Sequence, residues 1–287
     1  MVNRINSESS ESAPLVVVGS VAFDNVITPH GSKDGILGGA ASYCSFAASY
    51  FTEPRMVGVI GNDFGDEYLS RLKNRGIDLE GLQRDDTGPT FFWKGKYHEN
   101  FNRRDTLDIQ LNVFENFRPD LPDNYLDSKF VLLGNIHPSL QMHVLDQLHG
   151  DSFVVADTID LWIETERNAL LELIKRVSLF VINDSEAEEL TGESNIILAG
   201  TKLRTMGPQS VIIKKGEHGA MLFHEDGNFA LPAYPVTELR DPTGAGDSFA
   251  GALIGRLASR NRMDFHAIKE AILYGTCTAS LTVEAFG

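Results

Sequence analysis

Six short apolar runs carry almost no polar alternation: Leu15 to Gly19, Met56 to Ile60, Phe130 to Leu133, Phe153 to Ala156, Leu179 to Ile182 and Val211 to Ile213. A strand with one wet face alternates polar and apolar side chains, so runs of this kind predict strands buried on both faces. Between several of them lie segments of helical period, namely Gly39 to Phe51, Phe64 to Leu72, Pro138 to Leu148 and Ile163 to Val177. Such alternation predicts an α/β chain, a three-layer α/β/α sandwich around a mostly parallel central sheet. Ligands of such sheets bind beyond the carboxyl ends of the strands, where functional motifs should converge.

One segment breaks the rhythm. Thr90 to His98 sets Phe91, Trp93 and Tyr97 on one face and Phe92, Lys94 and Lys96 on the other, and a second strand is expected from Thr106 to Val113. This predicts an inserted β-lid over about 88–115, with a further contribution from 22–37. Its aromatics pack a two-sided sheet or a dimer seam, or stack on a substrate ring. The rest, 15–287, reads as one large domain, preceded by a Ser- and Glu-rich disordered lead-in over 1–14 that lacks the apolar centre of a signal peptide.

Charge narrows the partners. The formal net charge is −15, from 40 acidic and 25 basic residues, which argues against a nucleic-acid or anionic-membrane surface. No apolar run approaches the roughly 20 residues that span a bilayer. Two cysteines, Cys44 and Cys277, are too few for a disulfide framework or a zinc site, and a reducing cytosol is the expected setting.

The richest motif is Asp241-Pro242-Thr243-Gly244-Ala245-Gly246-Asp247. Pro242 cannot continue a ladder, while Gly244 and Gly246 let the main chain approach a ligand. Phe249, Ala250, Leu253, Ile254 and Leu257 then recur at helical spacing, so a helix is expected to start at the turn and point unpaired NH groups into it. NH groups and helix dipole suit a phosphate. Asp247 in the first turn is either a working carboxylate or a helix cap.

This stretch resembles the second signature of the ribokinase-like, or PfkB, family of carbohydrate kinases, Asp-Thr-x-Gly-Ala-Gly-Asp, with Pro242 replacing the usual Thr. The resemblance implies a ribokinase-like fold and phosphoryl transfer from ATP to an alcohol. By it Asp247 is the general base, the NH groups of Gly244, Ala245 and Gly246 form the anion hole, and Thr243 holds the turn beside the nucleotide. Asp241 shares in holding the turn and lies near a monovalent-cation site where members have one.

Three further regions match the same family. Gly19-Ser20-Val21-Ala22-Phe23-Asp24 ends the first strand, and Gly38-Gly39-Ala40-Ala41-Ser42-Tyr43 opens a helix. A carboxylate just past a strand end accepts from neighbouring hydroxyls, and a glycine pair seats a sugar on bare backbone. Asp24, Gly38 and Gly39 are therefore expected at the substrate. Tyr43, standing where many family members have Asn, is expected to line the pocket. Asn183-Asp184-Ser185-Glu186 resembles the family's Asn-x-x-Glu, implying Asn183 near phosphate and Glu186 holding Mg²⁺ through water; a capping box is the coexisting account. Lys214-Lys215-Gly216-Glu217-His218-Gly219 is similar to the strand-end element that runs along the nucleotide, so Lys214, Gly216 and Gly219 are expected cofactor contacts, with a tight turn as the alternative.

The reading is an ATP- and Mg²⁺-dependent kinase of a hydroxymethyl group on a sugar or sugar derivative, with a nucleoside as the alternative acceptor. A homodimer through the lid is implied by the family. A protein that kept the fold and lost turnover is the reading from another class.

Overall fold

The computed structural model describes residues 12–101 and 103–287. The lead-in expected over 1–14 falls outside the described residues up to residue 11. Ala13 is already packed, its NH donating to Ala258 O at 3.0 Å.

In chain order, β1 is Leu15–Val18, β2 Ala22–Thr28, β3 Gly31–Gly38, α1 Ala40–Ala48, β4 Arg55–Ile60, α2 Asp66–Lys73, β5 Leu82–Arg84, β6 Phe91–Tyr97 and β7 Arg104–Gln110. There follow β8 Phe130–Leu133, α3 Pro138–Gln147, β9 Phe153–Ala156, α4 Asp160–Thr165, α5 Arg167–Ile174, β10 Leu179–Asn183, α6 Asp184–Thr191 and α7 Ile196–Thr205. The chain ends with β11 Ser210–Lys214, β12 Ala220–His224, β13 Gly227–Leu231, α8 Ala245–Arg260 and α9 Phe265–Thr282.

Among the described residues one nine-stranded sheet runs in the order β13-β12-β11-β10-β9-β8-β1-β4-β5. The seven strands from β11 to β5 in that order are parallel, and β12 and β13 join antiparallel at one edge. Strand side chains alternate between faces. Val16, Val18, Val131, Leu133, Phe180 and Ile182 meet α3 to α7 on one side, while Leu15, Val17, Phe130, Leu132, Leu179 and Val181 meet α1, α8 and α9 on the other. Both faces are dry, which is why these strands show no polar alternation. Each such side chain contributes about 1.5–3 kcal/mol of burial.

A second, four-stranded sheet has the order β3-β2-β6-β7, with β2 and β6 parallel and the other pairs antiparallel. It forms the lid. Asp24, expected just past a strand end, lies inside β2, opposite Ile36 of β3 and Trp93 of β6. The first sheet strand stops at Val18, and Gly19 to Val21 carry the chain across to the lid. Two other boundaries differ from the expected ones. The helix expected over Ile163 to Val177 is broken into α4 and α5 where Glu166 leaves helical geometry (φ −127°, ψ 30°). The second lid strand ends at Gln110, before Asn112, which turns the chain at φ 50° into a 3₁₀ turn.

Helices α1 and α8 cross at backbone contact. A Cβ on Gly251 would stand 2.2 Å from Cys44 O, and one on Gly255 would stand 2.8 Å from Ala48 Cα. Asp247, Gly251 and Gly255 are spaced by four, so one helical face carries both the close contact and the acid.

Candidate active site

The site begins with the turn into α8. Asp241 Oδ1 accepts from Thr243 NH at 2.9 Å, and Ala245 NH closes the bend on Pro242 O at 3.1 Å. Gly244 sits at φ 74°, ψ 1°, the geometry required of the third residue of a type II turn and costly for any residue with a Cβ. It precedes α8 as the N-cap residue, with no side chain capping the helix. Asp247 is thus not a cap. The NH groups of Gly244, Gly246 and Asp247 have no acceptor among the described residues. Ala245, expected in the anion hole, gives its NH to the turn here, and the NH of Asp247 has no acceptor among the described residues.

Tyr43 and Asp24 lie on one side of this turn. A Cβ on Gly244 would fall 2.4 Å from the Tyr43 ring, so the ring lies flat against the turn's bare backbone. Its hydroxyl is buried and unpartnered. A Cβ on Gly38 would overlap the Asp24 carboxylate at 2.0 Å, which accounts for that glycine. Gly39 starts α1 at φ 88°, packed on Ser20, whose carbonyl and hydroxyl accept from Ala41 and Ala40 NH at 2.9 and 3.1 Å. Two NH groups at the amino end of α1 are thereby satisfied internally. Thr243, expected beside the nucleotide, donates its hydroxyl to Tyr97 Oη of the lid at 3.2 Å. The C-terminal Phe286 also packs on the lid, with Val26, Ile36 and Tyr97.

On the opposite side stand the ends of β9, β10 and β11. Asn183 caps α6 by accepting from Glu186 NH at 2.8 Å, and Glu186 Oε2 accepts from Asn183 NH at 2.9 Å, a complete capping box. Lys214, level with Asn183 in the parallel register, carries its ammonium 3.0 Å from where a Gly246 Cβ would begin. The ammonium donates to both oxygens of Asp157, at 3.2 and 3.0 Å. Gly216 and Gly219 shape the turn from β11 to β12, and a Cβ on Gly219 would collide with Leu231 O at 2.0 Å. The glycine at 219 follows from that packing, and the one at 216 from its φ of 52°.

Four acids crowd the cleft. Burial pushes Asp24 up to about 7, helped by Asp241 and Asp247. Burial likewise pushes Asp247 up to about 7, with Asp157 adding to the rise and Lys214 and Arg104 of the lid opposing it. Glu186 is raised to about 7 by desolvation, with Lys214 opposing the rise. Asp241 is raised by burial, and its Oδ2 is buried with no partner. A carboxyl near neutrality beside free NH groups matches what a general base at an anion site needs.

Asp157, Cys44 and Arg104 complete the surroundings. Cys44 Sγ donates to Asp247 O at 3.3 Å, an incidental product of the α1–α8 crossing. Asp157 follows an apolar strand in a sequence, Ala-Asp-Thr, that carries no distinctive spacing. Only its position after β9 could have marked it.

Comparison with known proteins agrees with this fold. The profile of the pfkB family carbohydrate kinases matches residues 15–287. A cytidine kinase of Thermococcus kodakarensis is 32% identical over 248 residues, 84% of this chain and 87% of the relative. In fold the chain is similar to a Burkholderia thailandensis nucleoside kinase solved with inosine (TM-score 0.77, 21% identity, 95% of this chain and 92% of that one). It is equally similar to a candidate ribokinase II from E. coli solved with ATP and Mg²⁺ (TM-score 0.77, 21% identity, 96% and 94%). With the phosphate-type turn, the lid and the two-faced sheet in place, the chain belongs to the pfkB family of carbohydrate kinases.

Proposed function

We propose that this kinase moves the γ-phosphoryl group of ATP to the hydroxymethyl group of a ribonucleoside. The observation that carries the reaction is Asp247: a carboxylate that caps nothing, raised to about 7, at the third position of a helix where the NH groups of Gly244, Gly246 and Asp247 have no acceptor among the described residues. The 32% identical cytidine kinase supports a nucleoside as acceptor.

In this reading the acceptor lies under the lid with its hydroxyls on Asp24, its ring against Gly38 and Gly39, and its hydroxymethyl oxygen at Asp247. Asp247 takes the proton, the oxygen attacks the γ-phosphorus, and ADP leaves. The NH groups of Gly244, Gly246 and Asp247 receive the charge that spreads over the phosphoryl oxygens. Asn183, Gly216 and Gly219 stay assigned to the nucleotide side, and Thr243 joins the lid to the turn through Tyr97. The hydroxyl of Tyr43 faces the acceptor.

Among the described residues no group of three or more His, Cys, Asp or Glu side chains is arranged to hold a metal alone. Mg²⁺ bound with a nucleotide needs only one or two carboxylates besides phosphate and water. Glu186 fits that demand, because the capping box engages only its Oε2. Mg²⁺ would supply charge neutralisation of the phosphates. The orphaned Asp241 Oδ2 suits a monovalent cation. Strand β7, exposed throughout with Leu107 and Ile109 outward, suits a lid-to-lid homodimer. No helix among the described residues is long and apolar enough to cross a membrane, and a cytosolic setting belongs to the same reading.

The test is a coupled ADP-release assay with cytidine, inosine, adenosine, ribose, fructose and 2-keto-3-deoxygluconate, run beside Asp247→Asn. Turnover with a nucleoside, lost in the variant, is the expected result. Turnover with a sugar alone would move the acceptor class. Sugar or nucleotide binding without ADP release from any acceptor would favour a binding protein that has lost turnover.

A further inference from the structure

Asp157 is 5% exposed and lies in the one place where a carboxylate is least welcome, a cleft already holding Asp24, Asp241, Asp247 and Glu186. Its two oxygens are both within hydrogen-bond distance of Lys214 Nζ. Asp157 directly follows β9 and Lys214 ends β11, strands that flank β10, so their side chains meet across the end of the intervening strand. Thr158 NH donates to Asp157 Oδ1 at 3.0 Å, fixing the carboxylate from its own backbone. Gln141 Nε2 donates to Asp157 O at 3.1 Å and to Gly134 O at 2.9 Å, fixing the backbone itself. The acid is held at several points.

What this rigid acid holds is an ammonium directed at the turn. Lys214 has a flexible four-carbon stem and would otherwise choose among three neighbouring acids, since Glu186 and Asp247 also attract it. The doubly engaged Asp157 selects one position, on the bare face of Gly246, beside the unbonded NH groups.

We propose that Asp157 is a positioning residue for phosphoryl transfer: it holds the Lys214 ammonium over the turn of Gly244 to Asp247, so that the ammonium meets the transferred γ-phosphoryl group as one more donor of the anion site. The inference rests on the kinase reading above and assigns a task to a residue outside the motifs. A buried ion pair that served only stability would leave kinetics of the folded protein unchanged when broken. Asp157 acting through Lys214 predicts otherwise.

The experiment is a double-mutant cycle with Asp157→Asn, Lys214→Met and the pair combined, each checked for folding by circular dichroism and thermal melting. ATP and ADP binding are measured by calorimetry without acceptor. Each single variant is expected to lose about 10- to 100-fold in ATP affinity, the scale of a charge-assisted hydrogen bond, with ADP affinity nearly unchanged. In turnover with the accepted substrate, kcat is expected to fall about 10²- to 10³-fold for Lys214→Met, the scale of one lost anion-hole donor, with the acceptor KM nearly constant. Adding Asp157→Asn to Lys214→Met should then cost nothing more, and Asp157→Glu should restore part of kcat. Losses that multiply in the combined variant, equal weakening of ATP and ADP, or folded single variants with full kcat would each overturn the proposal. If the unaltered protein turns over no acceptor, the kinase reading fails, while the calorimetric comparison still decides where the ammonium acts.

Discussion

Asp24→Asn should stabilise the free protein at alkaline pH while damaging its substrate affinity. Asp24 is 4% exposed, its carboxylate lies on Gly38, and among the described residues no donor hydrogen-bonds to it. Its pKa is about 7 in the folded chain against a reference value of 3.8. The folded state therefore holds this proton more tightly than the unfolded state does, and the sign follows: stability falls as pH rises between those two values and levels off above the folded one. For a shift of this size the linkage relation gives a loss of about 3 kcal/mol between about pH 5 and about pH 8, as an upper bound. Glu186 and Asp247 carry shifts of the same sign, so the whole protein should weaken across this window. The asparagine keeps the shape and removes one share. Urea unfolding at the two pH values measures it: with a slope of about 3 kcal/mol per M, the variant's midpoint at the higher pH should lie up to about 1 M above the unaltered protein's. The acceptor KM should meanwhile rise about 10- to 100-fold, because a charge-assisted hydrogen bond becomes a neutral one or is lost. Identical pH dependence in both proteins, or a variant less stable at the higher pH, would refute the assignment of a desolvated, partnerless carboxylate.

Asp247→Asn should lower kcat by about 10²- to 10⁴-fold without unfolding the chain, and in the unaltered enzyme kcat/KM should rise with pH toward about 7 and flatten above it, because the base works only when ionised. A flat profile from acid to neutral pH would exclude Asp247 as the base. Gly251→Ala forces a methyl into Cys44 O at a helix crossing with no spare room and should cost about 1–3 kcal/mol, read as a lowered urea midpoint; an unchanged midpoint would mean the crossing yields freely. Tyr97→Phe removes the acceptor of the Thr243 hydroxyl and should raise the acceptor KM severalfold, about the value of one neutral hydrogen bond, with melting temperature little altered. An unchanged KM would show that the lid is held by packing alone.

The layers of the fold could be read from the chain because each buried strand meets a dry surface on both sides. That condition leaves a direct mark, the missing polar alternation of Phe130 to Leu133 or Leu179 to Ile182. The lid was less legible. Its β6 alternates visibly and a contribution from 22–37 is expected, but nothing in sequence marks the step from β1 into β2, so Asp24 reads as following a strand instead of lying within one. The turn before α8 was legible through Pro242, Gly244 and Gly246, since backbone conformations demand residue types. Which NH groups the turn leaves free was not legible, because Ala245 forms its bond to Pro242 O only once the bend has closed.

Local chemistry thus fixed what lies in consecutive residues: the buried strands, the glycine turn, the capping box of Asn183 and Glu186, and the acid at the start of α8. Tertiary structure decided what only distant segments can supply. Folding brings Asp157 and Lys214, 57 positions apart, within hydrogen-bond distance. It lays the ring of Tyr43 on Gly244 and crowds Asp24, Asp241 and Asp247 until their carboxyls hold protons more tightly than in water. The physical reason is that desolvation and charge coupling depend on distance in space, which spacing along a chain does not encode.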